Sequence, residues 1–368
     1  MRLRLFLLIL SLVLISAQSW SQGCVAIRHF STCSPTYGQS NPSTRGDFQT
    51  GLNYRYFKSF RHFRGTEEEP DRVTNNTEVI NHSHSFDYFL SYGITDRWQV
   101  AVTIPLVLNS RSSLYEHGRS ERYSTFSRGM GDVTINTNYW LIDPFINSSF
   151  NLQAGFGVKL PTGSYNASDI FYNVGPNGSP ETRPVDQSIQ PGDGGFGLIL
   201  QGQGYYVLNT RASIYAAGFY LFNPRNTNGI RTFRETLSPL LENEAIMSVT
   251  DQFSVQAGLS FVAGTHMSLQ AGVRYEGIPV SDVIGKSEGF RRPGNVLSVE
   301  PGINYTVGNW NLMLSVPVAV RRERPQSLTD KEIEDETGNP RNGDAAFADY
   351  LINVGVSLRI PGKRITDI

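Results

Sequence analysis

The sequence has no run of about 20 consecutive apolar residues, so it predicts no transmembrane helix. Hydrophobic residues make up 39% of the chain, and the formal net charge of −1 gives no reason to expect nucleic acid as a partner. None of the six histidines lies in a recognisable nucleophile motif, so no catalytic residue is predicted. These absences argue against a helical membrane protein, a nucleic-acid-binding protein and an enzyme.

The longest apolar run lies at the amino terminus. Arg2 and Arg4 precede residues 5–15, which are apolar except for Ser11, and small-x-small cleavage patterns follow at 17–19 and 19–21. A basic start, a short apolar run and small residues are typical of a secretory signal peptide, and the run is too short to span a membrane as a helix. We therefore predict that residues 1–22 are a signal peptide and that the protein is exported.

The two cysteines, Cys24 and Cys33, lie close together near the predicted mature start. In an exported protein such a pair is expected to form a local disulfide. Lipidation of Cys24 is the alternative, although Ser21 stands where a lipoprotein signal normally has an aliphatic residue. The surrounding residues 23–45 are rich in Ser, Pro and Thr, and we expect an irregular lead that lies in the periplasm or folds inward as a plug.

Alternation of polar and apolar residues dominates the rest of the chain, and residues 129–163 show it clearly. Two alternating runs, at 133–141 and 150–160, are separated by a short turn. Because successive side chains of a strand point to opposite faces, these runs predict a hairpin with one apolar and one polar face. The apolar parity comprises Val133, Ile135, Thr137, Tyr139, Leu141, Phe150, Leu152, Ala154, Phe156, Val158 and Leu160.

Two folds could use such a hairpin: a soluble antiparallel sandwich with the apolar face inward, or a membrane barrel with the apolar face toward lipid. The predicted strands are about ten residues long, the length that a tilted strand needs to cross a bilayer. Short turns also alternate along the chain with long polar connections, as in bacterial outer-membrane barrels. We therefore predict an all-β, transmembrane, antiparallel up-and-down barrel of about twelve strands, with short periplasmic turns and long extracellular loops.

The barrel is predicted to occupy residues 46–361, followed by a tail at 362–368. One region is ambiguous, because 246–262 could turn at 250–252; we take it as one strand whose upper part rises above the membrane and places Asp251 outside lipid. A second region, 193–223, alternates less well. There the apolar residues Ile199, Phe219 and Leu221 fall on the parity predicted to face the lumen.

Aromatic residues are concentrated beside the predicted tight turns. In an outer-membrane barrel this is where a periplasmic-side girdle lies at the membrane interface. A strand preference of aromatic residues would explain their presence, but not their position next to turns. The residues of this girdle are Tyr92, Trp98, Tyr139, Phe150, Tyr206, Tyr305 and Trp310.

Two glycine-bearing motifs, at 129–133 and 157–163, resemble an outer-membrane barrel family. Together with the strand rhythm of most of the mature chain, they are similar to the family called MetA-pathway of phenol degradation. The resemblance implies a transporter-like barrel and passive uptake of small compounds, aromatic or apolar. The motif residues that carry the resemblance are Gly129, Gly131, Asp132, Lys159, Pro161 and Gly163.

Charged residues fall on the polar parity of several strands and are therefore predicted to line the lumen. Mixed charges in a polar pore would set a transverse field and select solutes. Alternatively, they pair with one another and fill the interior, because about twelve strands leave limited room. Asp132 and Lys159 lie on neighbouring strands and form the pair of first interest. The predicted lumen-lining residues are Arg55, Asp87, Asp132, Lys159, Arg274, Glu276, Glu300, Arg321 and Arg359.

Metal and cofactor sites are not predicted. His82 and His84 share one strand face, as two metal ligands could, but no third ligand is near them in sequence. Acidic runs at 67–71 and 330–336 could bind calcium or bridge lipopolysaccharide through divalent ions. They lack EF-hand spacing, and solvated loops are the simpler interpretation.

The sequence thus predicts a pore or transporter in the bacterial outer membrane for passive passage of small solutes, with no covalent chemistry. Its expected partners are outer-membrane lipid, lipopolysaccharide and a small-molecule solute, and protein partners are not specified. One alternative is a non-conducting barrel that acts as an assembly or surface-interaction component. A lesser alternative is an outer-membrane lipid hydrolase, which would need Ser, His and a polar orienting residue on the outer wall.

Overall fold

The computed structural model describes residues 44–147, 149–232, 237 and 239–362. The predicted signal peptide, the Cys24–Cys33 pair, nearly all of the lead and most of the tail lie outside the described residues. Within the described part, no helix is long and apolar enough to cross a membrane.

Long strands dominate the described chain. The strands are β1 (Phe48–Arg64), β2 (Glu67–Glu68), β3 (Ile80–Gly93), β4 (Trp98–Ser113), β5 (Tyr123–Met130), β6 (Thr134–Trp140), β7 (Phe150–Lys159), β8 (Ser168–Phe171), β9 (Glu181–Pro184), β10 (Gly197–Asn209), β11 (Ala212–Phe222), β12 (Thr227–Arg231), β13 (Ile246–Ser248), β14 (Gln252–Val262), β15 (Met267–Ile278), β16 (Gly294–Val307), β17 (Trp310–Ser315), β18 (Val318–Glu323) and β19 (Ala345–Ile360). The helices are α1 (Asp71–Thr74) and α2 (Leu328–Thr337), with 3-10 turns at Pro176–Gly178, Gln187–Ile189 and Pro239–Ala245.

These strands form a closed antiparallel barrel of twelve wall strands. Their order around the wall is β1, β3, β4, β5/β6, β7, β10, β11, β14, β15, β16, β17/β18 and β19. Here β5 and β6 together form one wall strand, and so do β17 and β18. Pairing of β19 with β1, from Phe48 opposite Ile360 to Phe63 opposite Ala345, closes the ring. Closure leaves no unpaired edge along the wall, which is the condition for a sheet to lie in lipid. The predicted barrel and its strand number are confirmed.

The connections differ at the two ends of the barrel. At one end, which also holds the start of β1 and the end of β19, neighbouring wall strands join through short turns such as 94–97, 210–211 and 308–309. At the other end long segments connect them, among them 160–196 and 223–251. These segments carry the two helices and the small hairpins β8–β9 and β12–β13. The predicted asymmetry of short turns and long loops is confirmed.

The two faces of the wall differ in polarity as the alternation predicted. Phe156, Val273 and Leu314 are each at least 41% exposed and face outward, whereas their polar neighbours are buried or half-buried. Two stacked sheets would have buried these side chains between them. The aromatic residues beside the tight turns are also exposed on the outer surface, which is consistent with a membrane-interface girdle.

Two wall strands are interrupted, and in both cases a proline of the neighbouring strand faces the interruption. Between β5 and β6 the amide of Gly131 donates to the carbonyl oxygen of Pro105 at 2.8 Å. Between β17 and β18 the amide of Val316 donates to the carbonyl oxygen of Pro301 at 3.0 Å. Proline has no N–H to donate, so a regular ladder cannot continue at these positions. The sequence pattern had predicted one continuous strand across β17 and β18, whereas most of β5 falls in a stretch, 111–128, that it had predicted to be a long polar connection.

The predicted single strand at 246–262 is also divided. Its first part, β13, pairs with β12 in a separate two-stranded sheet, and only β14 belongs to the barrel. Asp251 lies between the two and is fully buried, accepting hydrogen bonds from the amides of Asn223 at 2.6 Å and Val283 at 2.8 Å. A buried carboxylate that caps two loop amides explains why the strand stops there.

Candidate functional site in the barrel lumen

A cavity lies inside the barrel, toward the end that carries the long loops. Seven strands of the wall, from β1 to β14, contribute to its lining, and residues between 188 and 193 lie above it. The lining is mixed, with an apolar part and a charged part. The apolar side chains are Phe57, Pro105, Val107 and Leu221, and the charged ones are Arg55, Asp132, Lys159 and Asp193.

Three glycines bring the charged side of the cavity together. A Cβ on Gly163 would lie 2.7 Å from the carbonyl carbon of Gly131 and 2.8 Å from the Cα of Gly192. A Cβ on Gly192 would in turn lie 2.7 Å from backbone atoms of Gly163. Only glycine allows three backbones to approach this closely. The interruption after β5, the segment after β7 and the segment before β10 therefore meet at one point.

Asp132 and Lys159 both lie at this point, but they are held by different groups. The carboxylate of Asp132 accepts hydrogen bonds from the amides of Gly163 at 2.9 Å and Asp193 at 3.0 Å. The ammonium of Lys159 forms its ion pair with the side chain of Asp193. The expected Asp132–Lys159 pair is thus replaced by a three-residue arrangement in which Asp193 connects to both.

The residues from 185 to 193, called the lid segment here, cross the barrel above the cavity. The carboxylate of Asp186 lies 3.4 Å from the guanidinium of Arg111 on β4 and 2.7 Å from that of Arg292, just before β16. β4 and β16 stand on opposite sides of the twelve-stranded ring. One buried carboxylate therefore ties the lid segment to two opposite walls.

The electrostatics of Asp186 favour its charged form. Burial alone would raise its pKa, but the guanidinium groups of Arg111 and Arg292 outweigh this effect and hold the pKa well below the usual range of a carboxyl. Hydrogen bonds from Ser188 to the same carboxylate act in the same direction. Asp186 therefore stays ionised at neutral pH and keeps both arginines in place.

Neutral hydrogen bonds add to this attachment. The side chains of Asn109, at 3.1 Å, and of Ser127 donate to the carbonyl oxygen of Ile189. On the other side Gln187 donates to the carbonyl oxygen of Ser248 at 2.6 Å. Ile189 itself is almost fully buried. The lid segment is thus a packed part of the structure and not a solvated loop.

A second charged group lies on β15 and β16, away from the cavity. Arg274 donates to the carboxylate of Glu300 at 2.7 and 2.8 Å, and its Nη1 lies 3.6 Å from Glu276. Ser315 donates to Glu300 at 2.8 Å. These predicted lumen-lining residues lie close together on inward-facing positions and satisfy one another, as the pairing alternative anticipated.

The remaining predicted residues have different surroundings. Arg55 and Asp87 are buried inside the barrel, and Asp87 accepts a hydrogen bond from Ser85 at 2.8 Å. Arg359 lies at the short-turn end and donates to Asp47 at 2.9 Å. Arg321 does not share the inward-facing position of these residues. A bulge in β18 pairs it with Leu297, which in turn pairs with the outward-facing Tyr275, so Arg321 lies on the outer parity of the wall.

His82 and His84 lie on the outer surface of β3 and contact tyrosines. The Nδ1 atom of His84 lies 2.9 Å from the hydroxyl of Tyr54, and that of His82 lies 3.0 Å from the hydroxyl of Tyr56. Among the described residues no three His, Cys, Asp or Glu side chains are grouped as metal ligands. The two imidazoles form part of an aromatic patch.

Sequence reasoning missed the two aspartates that organise the site. Asp193 could have been found, because Gly192-Asp193 repeats the Gly131-Asp132 dipeptide of the first motif. Asp186 gives no local signal, since only the fold places it between Arg111 and Arg292. The poorly alternating residues Ile199, Phe219 and Leu221 were also informative, because they form an inward-facing apolar cluster.

Comparison with known proteins gives structural matches only. No family model matches the chain, and no curated protein matches it in sequence. An outer membrane channel from Pseudomonas putida F1 is similar, with a TM-score of 0.56, 13% identity, and coverage of 88% of this chain and 98% of that chain. The translocator domain of the autotransporter NalP from Neisseria meningitidis has a TM-score of 0.45 and 13% identity, over 88% and 92%. The toluene transporter TbuX from Ralstonia pickettii has a TM-score of 0.42 and 9% identity, over 88% and 92%.

At 13% identity, the similarity to the Pseudomonas channel bears on the fold alone, and the other two matches are too weak to carry an argument. That channel is nevertheless covered over nearly its whole length. Together with the closed ring and the apolar outer surface, this similarity shows that the chain has the fold of an outer-membrane β-barrel.

Proposed function

We propose that this protein is an outer-membrane channel through which small solutes pass by diffusion. The observation that carries the proposal is the cavity, which lies within the lumen of a closed barrel and has both apolar and charged walls. Small-molecule sites in proteins commonly combine an apolar lining with a few polar groups. A solute would cross the membrane through the lumen and bind weakly in the cavity during its passage.

The lid segment would control whether a solute can pass through the lumen. It lies directly above the cavity and is attached on both sides by Asp186 and Ile189. A solute that enters from the long-loop end must pass beside it or displace it. The proposed channel therefore conducts when the lid segment moves and restricts passage when Asp186 is paired.

The apolar part of the cavity indicates the class of solute. Phe57, Val107 and Leu221 come from three different strands and present aromatic and aliphatic surface to the space. Such a surface favours compounds with an aromatic or aliphatic body over sugars. This agrees with the solute class implied by the family resemblance at Gly131 and Lys159, and membership of that family is part of the proposal.

The proposed location is the bacterial outer membrane, with lipid and lipopolysaccharide around the apolar outer surface. The proposal also includes export through the signal peptide at residues 1–22, a disulfide between Cys24 and Cys33, and inward-facing charges as the determinants of selectivity. A barrel of this kind needs no cofactor, and its proposed role involves no covalent chemistry.

Ion conductance of refolded protein in a planar lipid bilayer tests the proposal. The mature chain and a variant lacking residues 24–45 are recorded in parallel, with the second removing any block by the lead. Discrete conductance steps from either protein support a channel. Silence from both, with folding verified by the heat-dependent shift in gel mobility, would rule out the pore and favour the non-conducting assembly component.

A further inference from the structure

The two cations that line the cavity differ in how their charges are compensated. Lys159 is ion-paired with Asp193. Arg55, by contrast, is only 8% exposed and forms no ion pair or hydrogen bond within the part of the chain that the structure describes. Its Nε atom is buried without a hydrogen-bond partner. A guanidinium without a partner therefore faces the cavity.

None of the neighbouring acids forms a hydrogen bond or an ion pair within 4.0 Å with Arg55 among the described residues. Asp87 lies opposite Asn53 on the adjacent β3, two positions from Ser85, the residue opposite Arg55, and it accepts a hydrogen bond from Ser85. Asp132 accepts two backbone amides, and Asp193 binds Lys159. Farther along the lumen, Glu276 and Glu300 are occupied by Arg274. Asp87 and Glu276 attract the charge of Arg55 without contacting it, so its hydrogen-bond donors stay unused among the described residues.

An unpaired buried charge is strongly unfavourable unless a ligand or water compensates it. Guanidinium is planar and has its N–H donors in a fork that matches the two oxygens of a carboxylate. The chemical group that fits Arg55 is therefore a carboxylate carried by the solute. A hydroxyl or a neutral amide could accept a hydrogen bond but would not match the fork with two charged oxygens.

The surroundings of Arg55 specify the rest of such a solute. Phe57 lies two residues farther along β1, so its side chain is on the same face of the strand. Val107 and Leu221 also line the cavity, from β4 and β11. A molecule with its carboxylate at Arg55 would thus have its body against aromatic and aliphatic side chains.

We propose that the cavity binds small apolar monocarboxylates, with Arg55 as the residue that determines their specificity. The inference rests on the proposed channel function and names the solute class of the same site. Benzoate represents the class as a probe, because it has one carboxylate on an apolar ring. Benzamide is its neutral counterpart of nearly the same shape, and benzylamine is its cationic counterpart.

The test measures binding of the three probes to the refolded full chain in detergent by titration calorimetry. Benzoate is expected to bind about tenfold more tightly than benzamide, as a charge-assisted hydrogen bond provides, and benzylamine is expected not to bind. Arg55→Gln should remove the difference between benzoate and benzamide. Arg55→Lys should keep part of it, because an ammonium retains the charge but lacks the forked geometry.

Lys58→Gln is the matched control, since Lys58 is the exposed cation three positions away on the same strand. It should leave the benzoate preference unchanged. Equal binding of benzoate and benzamide to the wild-type protein, or a preference that persists in folded Arg55→Gln, would overturn the inference. If Arg55→Gln does not fold, Arg55→Lys and the wild-type comparison decide.

Conductance recorded on the same preparations separates the two proposals. Discrete conductance steps without a benzoate preference would support the channel function and contradict the proposed solute class. A benzoate preference in a protein that shows no conductance would support the solute class and contradict the channel function. Tighter binding of phenylalanine than of benzoate would also contradict the inference, because the cavity would then prefer a zwitterion to a monocarboxylate.

Discussion

The amide of Gly131 donates to the carbonyl oxygen of Pro105 at 2.8 Å, across the point where the fourth wall strand is interrupted. Because the ladder cannot continue opposite Pro105, residues 131–133 leave the strand geometry. Asp132 is thereby free to bind the amides of Gly163 and Asp193. An irregularity in the wall is thus what anchors the lid segment at its carboxyl end.

The first prediction concerns the contact of the three glycines. In Gly163→Ala the new Cβ would lie within 3 Å of backbone atoms of Gly131 and Gly192, which cannot move aside as a flexible side chain could. Overpacking of this kind costs about 1–3 kcal/mol. We expect a lower temperature for the loss of the folded band in heat-dependent gel mobility.

Gly264→Ala is the control for this substitution, because no atom lies within 4 Å of the position that its Cβ would take. It should leave the transition temperature unchanged. Equal destabilisation by both substitutions would show that the close approach at Gly163 is not important for stability.

The second prediction concerns the attachment of the lid segment. Asp186→Asn keeps the shape of the side chain but removes the charge that pairs with Arg292 at 2.7 Å and with Arg111 at 3.4 Å, although Arg111 retains Glu116 at 2.7 Å. Breaking a buried pair of this kind costs about 3 kcal/mol, which is about a hundredfold change in the equilibrium between attached and released lid segments. We expect a larger open fraction in single-channel recordings.

Asp344→Asn is the matched control. Asp344 is also paired with an arginine, Arg72 at 2.5 Å, but it belongs to a different loop and does not contact the lid segment. Its substitution should leave the open fraction near the wild-type value. If both variants open the channel equally, general loosening of the loops and not the Asp186 attachment controls passage.

The third prediction is the pH dependence of this attachment. The pKa of Asp186 is lowered in the folded lid because Arg111 and Arg292 outweigh the opposing effect of burial. A lowered pKa means that the stabilisation is fully present above the ordinary carboxyl pKa of about 4 and is lost as the pH falls through the lowered value. We therefore expect the open fraction to be constant from neutral pH to about pH 4. A transition near pH 6 would show that another group controls the lid segment.

The fourth prediction concerns the outer surface. Val273 is 50% exposed on the outer face, near the middle of β15. An arginine on the lipid face near the midplane of a bilayer costs about 2–4 kcal/mol, so Val273→Arg should reduce the fraction that folds into lipid vesicles. Ile146→Arg introduces the same side chain in a turn, at a residue that is 84% exposed, and should have little effect. Equal folding yields would place Val273 outside lipid.

The architecture was predictable because each wall strand carries its own signal. The alternation at 150–160 or 267–275 arises because successive side chains of a strand face lipid and lumen in turn, and the same pattern repeats along the chain. The interruption between β17 and β18 was not predicted because the apolar parity continues across it, from Leu312 to Val318. Pro105 and Pro301 were the available signals, since a proline within a strand marks an edge or an irregularity.

The candidate site was predictable only in part. Polar parity placed Arg55, Asp132 and Lys159 on the inner face, where the structure has them lining one cavity. The partners of Asp132 and Lys159 could not be predicted because they come from the long connection 160–196, which has no periodic pattern. Asp186 meets Arg111 and Arg292 across 75 and 106 positions of sequence, respectively, and only the closed ring brings them together.

Closure of the ring by β1 and β19 has a consequence for biogenesis. The wall strand made first and the wall strand made last are hydrogen-bonded neighbours, so a nascent chain that stops before Ala345 has no complete cylinder available to it. An incomplete barrel inserted in the membrane would expose two unpaired edge strands to the acyl chains, where their backbone groups cannot hydrogen-bond to water. Insertion is therefore expected to wait until the carboxyl-terminal strand has been delivered, and until then the chain must be kept from aggregating in the aqueous compartment that it crosses.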